Sequence, residues 1–269
     1  MLGSAVTHAE RVLLSDLNYA EAMRDLTRRA GGAVLDEDGL LLYASPHPLP
    51  VLVNGVMRTG AQSAPERTLA RARDFFGARR RGFSVIVRAH ADADLRAAAE
   101  AAGLAVYGEA PGMLLDHELD AARAPEGVEL REVTSEDDAR RFAAVQAAAY
   151  ATYGMPPDVT PLVLGSIEVL RAPHIATFLA LVNGEAAAGA MVVVTHGVAG
   201  IYWVGTSPAA RGRGLAELCT RAATNRGFAL GARVAALQAS VMGEPIYARM
   251  GYVVVTRYPT VVQVGPRSR

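Results

Sequence analysis

The sequence predicts an α/β protein, with a mixed, mostly antiparallel sheet flanked by helices. Three observations predict it. Residues 177–181, 187–194 and 199–204 read as successive strands, and Asn183-Gly184 is a two-residue hairpin signal between the first pair. The run Ile201-Tyr202-Trp203-Val204 leads through a glycine-rich turn into a helical pattern with Leu215, Leu218, Ala222 and Ala223 on one face. A pattern of helix, Gly-Ala-Arg, strand, helix and glycine occurs twice, at Gly77-Ala78-Arg79 with Gly103 and at Gly231-Ala232-Arg233 with Gly251.

The first part of the chain yields these elements in order. Residues 18–30 read as a helix and 33–44 as a hairpin turning at Glu37-Asp38-Gly39. Residues 49–56 are a strand candidate, 66–80 a helix and 83–87 a strand. A further helix begins at Asp92-Ala93-Asp94-Leu95 and ends at Gly103-Leu104. A polar, Ala/Pro-containing connector covers 118–127, so the chain divides into 1–117 and 128–269.

The second part opens with a strand at 128–133 and a helix to about Tyr150, with Ser135 as N-cap ahead of Asp138. A second helical stretch covers 159–170. After the meander and the helix from Leu215, residues 233–239 alternate as a strand. A short helix around Tyr247 and terminal strands over 252–264 complete the order.

Composition bounds the function. The chain has 269 residues, 51% of them hydrophobic, enough for one large core or two small ones. Net charge is zero, which argues against nucleic acid as the main partner. No apolar run is long enough to cross a membrane, and the N-terminus has no basic segment ahead of an apolar one, so no secretory signal is expected. The single cysteine, Cys219, excludes an internal disulfide and agrees with a cytoplasmic protein. It reads as a small buried hydrophobe rather than a nucleophile. No His/Cys/Asp cluster has metal-ligand spacing, so no metal is expected. Arginine supplies every basic side chain, and there is no lysine on which the protein could acylate itself.

Arg211-Gly212-Arg213-Gly214-Leu215-Ala216 sits between strand and helix, which is the geometry that binds a phosphate. A helix N-terminus offers amides without partners and a partial positive charge, and glycines let an anion approach them. The spacing is neither a P-loop nor G-x-G-x-x-G. It resembles R-x-x-G-x-A, the pyrophosphate loop of the GNAT superfamily of acyl-CoA-dependent N-acetyltransferases. Downstream, Tyr247-Ala248-Arg249-Met250-Gly251-Tyr252 resembles the Y-x-K-x-G-F signature of the same superfamily. Both motifs fall in order, and the resemblance covers about 127–264.

The resemblance implies a GNAT-type fold with acetyl-CoA as co-substrate and an amine of a small molecule or peptide as acceptor. It places Arg211, Gly212, Arg213, Gly214, Leu215 and Ala216 on the pyrophosphate. Val204 and Thr206 would pair through their backbones with the pantetheine arm, which enters as an extra strand where β-pairing splays. Gly205 would permit close approach, and an amide near Val204 or Gly205 would bond the developing oxyanion. Ser240 stands where many members carry an asparagine that contacts CoA. Tyr247 would be the general acid for the leaving thiolate; taken alone, it also reads as a packing residue. Members often carry a glutamate base nine residues before the loop arginine, and that position here is Tyr202, a poor base that would line the acceptor pocket. Glu168, His174, Asp158 and His196 remain as base candidates.

The first half has no R-x-x-G-x-A in the loop at 60–65, and Ala99 stands where Tyr247 would be. It reads as a degenerate GNAT-like copy, or as an unrelated α/β cap, that shapes the substrate cleft. The protein is then a monomer with an internal pseudo-duplication, or a homodimer. A non-catalytic acyl-CoA-binding sensor is the alternative function, and Tyr247 favours the enzyme. An arginine-rich RNA-binding module is disfavoured by zero net charge and by the lack of aromatic residues around the loop.

Overall fold

A computed structural model describes residues 7–60, 63–121 and 123–265. The first half runs α1 (His8–Arg29), β1 (Ala33–Glu37), β2 (Leu40–Ala44), β3 (Asn54–Arg58), α2 (Pro65–Gly77), β4 (Phe83–Ile86), α3 (Ala93–Ala101) and β5 (Ala105–Leu115). The second runs β6 (Val128–Glu132), α4 (Glu136–Tyr150), a 3-10 turn (Ala151–Tyr153), α5 (Val159–Leu164), α6 (Ile167–Leu170), β7 (Ile175–Val182), β8 (Glu185–Thr195), β9 (Val198–Thr206), α7 (Leu215–Ala229), β10 (Val234–Gln238), α8 (Glu244–Arg249) and β11 (Val253–Gln263). From the first helix onward, both halves follow one plan. Three strands form a meander, a helix leads to a strand parallel to the third, and a short helix leads to a last antiparallel strand.

The eleven strands of the described residues form one sheet, in the order β1-β2-β3-β4-β11-β5-β10-β9-β8-β7-β6. The halves exchange their last strands. β5 of the first half pairs with β10 of the second, and β11 of the second pairs with β4 of the first. β5 and β11 then pair with each other along most of their length. Side-chain alternation along β10 shows the two faces. Ala235 and Leu237 join the core beneath α7 with Tyr247 and Tyr252, while Val234 and Ala236 meet Val12 and Leu14 of α1. Thus α1, α4, α5 and α6 cover one face and α2, α3, α7 and α8 the other.

Local sequence chemistry accounts for many boundaries. Asp38-Gly39 and Asn183-Gly184 turn their hairpins with positive φ at both residues, as the two-residue turn requires. Ser135 caps α4 by accepting from the Asp138 amide. α1 begins earlier than the apolar period suggests, because Thr7 and Glu10 form a reciprocal capping box. Other expectations shift. The strand placed at 49–56 is β3 at Asn54–Arg58, and the helix over 159–170 breaks at Gly165-Ser166 into α5 and α6. Residues 252–264 supply one long strand rather than several, because β5 takes the place of a second one. Residues 1–6 and Ala61-Gln62 of the 60–65 loop, with what is expected of them, lie outside the described residues.

The first half also holds the second through α1. Asn18 places its amide nitrogen 3.0 Å from the Val193 oxygen and 3.2 Å from the Val198 oxygen, bridging β8 and β9. Tyr258 of β11 donates to Asp16 of α1 at 2.7 Å. No described helix is long and apolar enough to cross a membrane.

Candidate active site

β9 creates the site by leaving its neighbour. It pairs with β10 only from Val198 to Gly200, so Ile201–Thr206 are hydrogen-bonded on the β8 side alone. A bulge accompanies the departure: Trp203 and Val204 together face the single residue Ala190, and Trp203 adopts φ of 50°. Such a backbone costs a non-glycine residue energy and clusters at functional sites. Gly205 follows, and a Cβ there would lie 2.4 Å from Gln146 Oε1 and 2.8 Å from Ala149 Cβ. The glycine therefore lets α4 lie directly on the end of β9.

The chain then enters the basic loop. Gly212 and Gly214 both adopt positive φ, at 76° and 72°, and Gly214 is the N-cap of α7. The bond from the Leu218 amide reaches the Gly214 oxygen, so the amides of Leu215, Ala216 and Glu217 precede the helical ladder and point out of its end. Arg211 is fixed by bonds to the Ala149 oxygen at 3.3 Å and Thr152 Oγ1 at 3.2 Å. Arg213 and Arg249 have no ion-pair partner among the described residues. Glu217, in the first turn, is taken by Arg221 at 2.9 Å.

A cavity of about 360 Å³ opens where these parts meet. Val204, Gly205, Thr206, Arg211, Gly212, Arg213, Gly214, Leu215, Ala216, Ser240 and Tyr247 all line it, so the structure brings the expected CoA contacts and the expected acid into one place. Tyr247 is buried against Tyr252, with ring centroids 6.0 Å apart. Burial, with Tyr150, Tyr252 and Tyr153 nearby, holds its hydroxyl well above the ordinary tyrosine range, so it stays protonated. Tyr153 donates to Ser240 Oγ at 3.4 Å and so spans the cavity from the 3-10 turn to the loop after β10.

Sequence reasoning missed the aromatic side of this cavity. Tyr150 and Tyr153 line it, and Trp203 packs behind Tyr150 at a centroid distance of 5.4 Å. The i, i+3 spacing of the two tyrosines at the end of a helix was the available signal. Arg249, at the lysine position of the Tyr247 signature, also lines the cavity.

Tyr202 is not in it. Its ring lies in the core beneath α4 and α5, and its hydroxyl donates to Asn18 at 2.7 Å. The bulge after Tyr202 explains this: the chain changes course past the position that the motif spacing assigns to a base. None of the other base candidates lines the cavity. His174 meets Asp25 at 2.8 Å, Asp158 faces His47 at 3.4 Å, Glu168 is exposed and His196 sits in the β8–β9 turn. Cys219 is fully buried, and burial pushes its thiol up to about 12, as suits a packing residue. Among the described residues no group of acids, histidines and cysteine is arranged to hold a metal ion.

Residues 114–242 match the acetyltransferase (GNAT) domain family. The match lies almost entirely within the second half of the chain. The fold of the whole chain also has solved counterparts. A GCN5-related N-acetyltransferase from Kribbella flavida superposes with a TM-score of 0.70 at 20% identity, covering 94% of this chain and 96% of the other. One from Sphaerobacter thermophilus gives 0.59 at 16% identity, over 87% and 84%. A tandem GNAT protein of the clavulanic acid biosynthesis pathway gives 0.56 at 15% identity, over 86% and 79%. No curated protein matches the sequence. The cradle fits a pyrophosphate-bearing thioester: outward-facing amides, two left-handed glycines and three arginines lie beside an unpaired strand edge.

Proposed function

We propose that the protein is an N-acetyltransferase that moves an acetyl group from acetyl-CoA to an amine by direct attack, with Tyr247 as the general acid. The convergence of Tyr247, the unpaired edge of β9 and the α7 N-terminus on one cavity carries this reading. Acetyl-CoA would supply the acetyl group as a thioester. The amides of Leu215–Glu217 with Arg213 and Arg249 would hold the pyrophosphate. Val204 and Thr206 would bond the pantetheine arm as an added strand, and Ser240 would give a hydroxyl contact. The bulge turns the backbone at Val204 and Gly205, where an amide can meet the developing oxyanion.

Tyr247 is a weaker acid than a thiol, whose reference pKa is ~8.5, and burial makes it weaker still. Proton transfer therefore runs only as charge develops on sulfur. The same burial keeps the hydroxyl protonated at any working pH. The first 117 residues, in this reading, are a degenerate GNAT-like domain without a CoA loop, joined by 118–127 to the catalytic domain at 128–269.

The test is release of free thiol from acetyl-CoA in the presence of amines, together with calorimetry of CoA binding. Thiol release that depends on the amine supports the reading. CoA binding without acetyl transfer would make the protein an acyl-CoA sensor instead, and no CoA binding would end both readings.

A further inference from the structure

The cavity has two chemically different ends. Around the α7 N-terminus it carries Arg211, Arg213 and Arg249. Beneath α4 it carries Tyr150 and Tyr153, with centroids 6.1 Å apart, and Trp203 packs against Tyr150 at an interplanar angle of 56°. The titratable and charged groups lining it are Tyr150, Tyr153, Tyr247, Arg211, Arg213, Arg249 and Glu217. The only carboxylate among them is bound to Arg221 in the first turn of α7. Among the described residues no imidazole lines the cavity.

Two consequences follow for an amine acceptor, and both rest on the acetyltransferase reading. First, apart from Glu217, which Arg221 holds, no described side chain lining the cavity is a base for an ammonium group. A phenol is a poor base near neutral pH, burial raises Tyr150 and Tyr247 further, and the arginines are never bases. The nucleophile must therefore arrive neutral. An alkyl amine with a pKa of ~10.4 is neutral in only about one molecule in 10³ at pH 7. An aromatic amine, whose lone pair is delocalised into its ring, is neutral throughout. Second, the acceptor end offers aromatic rings and no counter-ion, so an ammonium finds no partner there and a flat ring is matched.

We infer that the acceptor is a weakly basic aromatic amine whose ring packs against Tyr150 and Tyr153. Its nitrogen forms the new bond to the acyl carbon as the carbon–sulfur bond breaks. The thiolate takes the Tyr247 proton, and the acylated nitrogen releases one proton to solvent, which restores the tyrosine.

The experiment uses the full chain with acetyl-CoA and two probes, p-anisidine and cadaverine. At pH 7, p-anisidine should give a kcat/KM at least 10²-fold higher. Its rate should stay flat from pH 6 to 9, while the cadaverine rate climbs about tenfold per unit as the amine deprotonates. Trp203 is the only tryptophan, so its fluorescence reports binding directly: p-anisidine should quench it, and cadaverine should not. Tyr153 is 47% exposed, so Tyr153→Ala should fold, and it should raise the KM for p-anisidine about tenfold while Tyr153→Phe should not. Cadaverine turning over faster at pH 7 would overturn the inference and leave the acetyltransferase standing. So would acetyl-CoA binding with no transfer to p-anisidine and no quenching. Failure of acetyl-CoA to bind would remove the acetyltransferase reading and the inference with it.

Discussion

The two halves of the sheet meet the same juncture in opposite ways. In the second half, β9 runs six residues beyond its last pairing with β10, and the gap between β9 and α8 becomes the cavity. In the first half, β3 pairs with β4 from Gly55 to Met57 and ends one residue later, at Arg58. The Arg58 guanidinium reaches across to Asp94 at 2.8 Å and 3.2 Å and to Asp92 at 3.5 Å, at the start of α3. Where the second half holds an open edge and Tyr247, the first half holds ion pairs. The helix starts differ too. α2 has Ala64 as N-cap and a proline at its first position, which removes one of the amides that an anion would need. Sharing a plan of strands and helices therefore does not carry over a binding site. The site depends on a strand that overruns its partner and on the residue types at one helix end.

The largest effect should come from cutting the halves apart. A fragment of residues 118–269 lacks β5, which leaves β10 and β11 with open edges and the Tyr252 side of the core uncovered. It should fail to show a cooperative urea transition. A fragment that unfolds cooperatively and binds CoA would show that the halves are independent after all. Next, Gly214→Glu should abolish CoA binding in calorimetry, because a carboxylate would stand at the anion site. Gly214 has φ of 72°, so any side chain there costs about 1 kcal/mol of strain. Gly214→Ala carries that strain without the charge, and it should retain most of the affinity.

Tyr247→Phe should slow acetyl transfer in single-turnover assays by about 10²–10⁴-fold while barely changing CoA affinity. A parent-like rate would make Tyr247 a packing residue. Because burial raises the Tyr247 pKa, the parent rate should show no descending limb up to about pH 10. Smaller still, Arg58→Met should cost about 1–2 kcal/mol of stability and leave CoA affinity unchanged. The bond from Arg58 holds the Asp94 carboxyl below its usual value. The folded state thus prefers the ionised form, and this contribution is present above the ordinary carboxylate pKa and lost as pH falls through the depressed value. Thermal melts below about pH 4 should therefore decline less steeply in Arg58→Met than in the parent. Equal slopes would show that the tie contributes nothing.

Much of this was readable from local chemistry. Asp38-Gly39, Asn183-Gly184 and the Ser135 cap act over a few residues, so their sequences point directly to their structures. The basic loop and Tyr247 were readable because one continuous loop and one short helix carry them, whereas Tyr150 and Tyr153 come from a distant helix end and turn. β5 was not. Gly108, Pro111 and Gly112 interrupt its pattern, and its partners β10 and β11 lie more than a hundred residues away. The bulge at Trp203 was also hidden, since no glycine or asparagine marks its positive φ. That bulge is why Tyr202 turned out to be a core residue. The Thr7–Glu10 capping box, by contrast, was legible and would have placed the start of α1.

The exchanged strands also set a timetable for synthesis. β4 gains its neighbour on one side only when residues 253–263 have been made, well over a hundred residues after β4 itself. β10, by contrast, finds β5 already waiting when it emerges. The half with the candidate active site can thus complete its sheet as it leaves the ribosome, while the half that precedes it must stay open until β11 arrives.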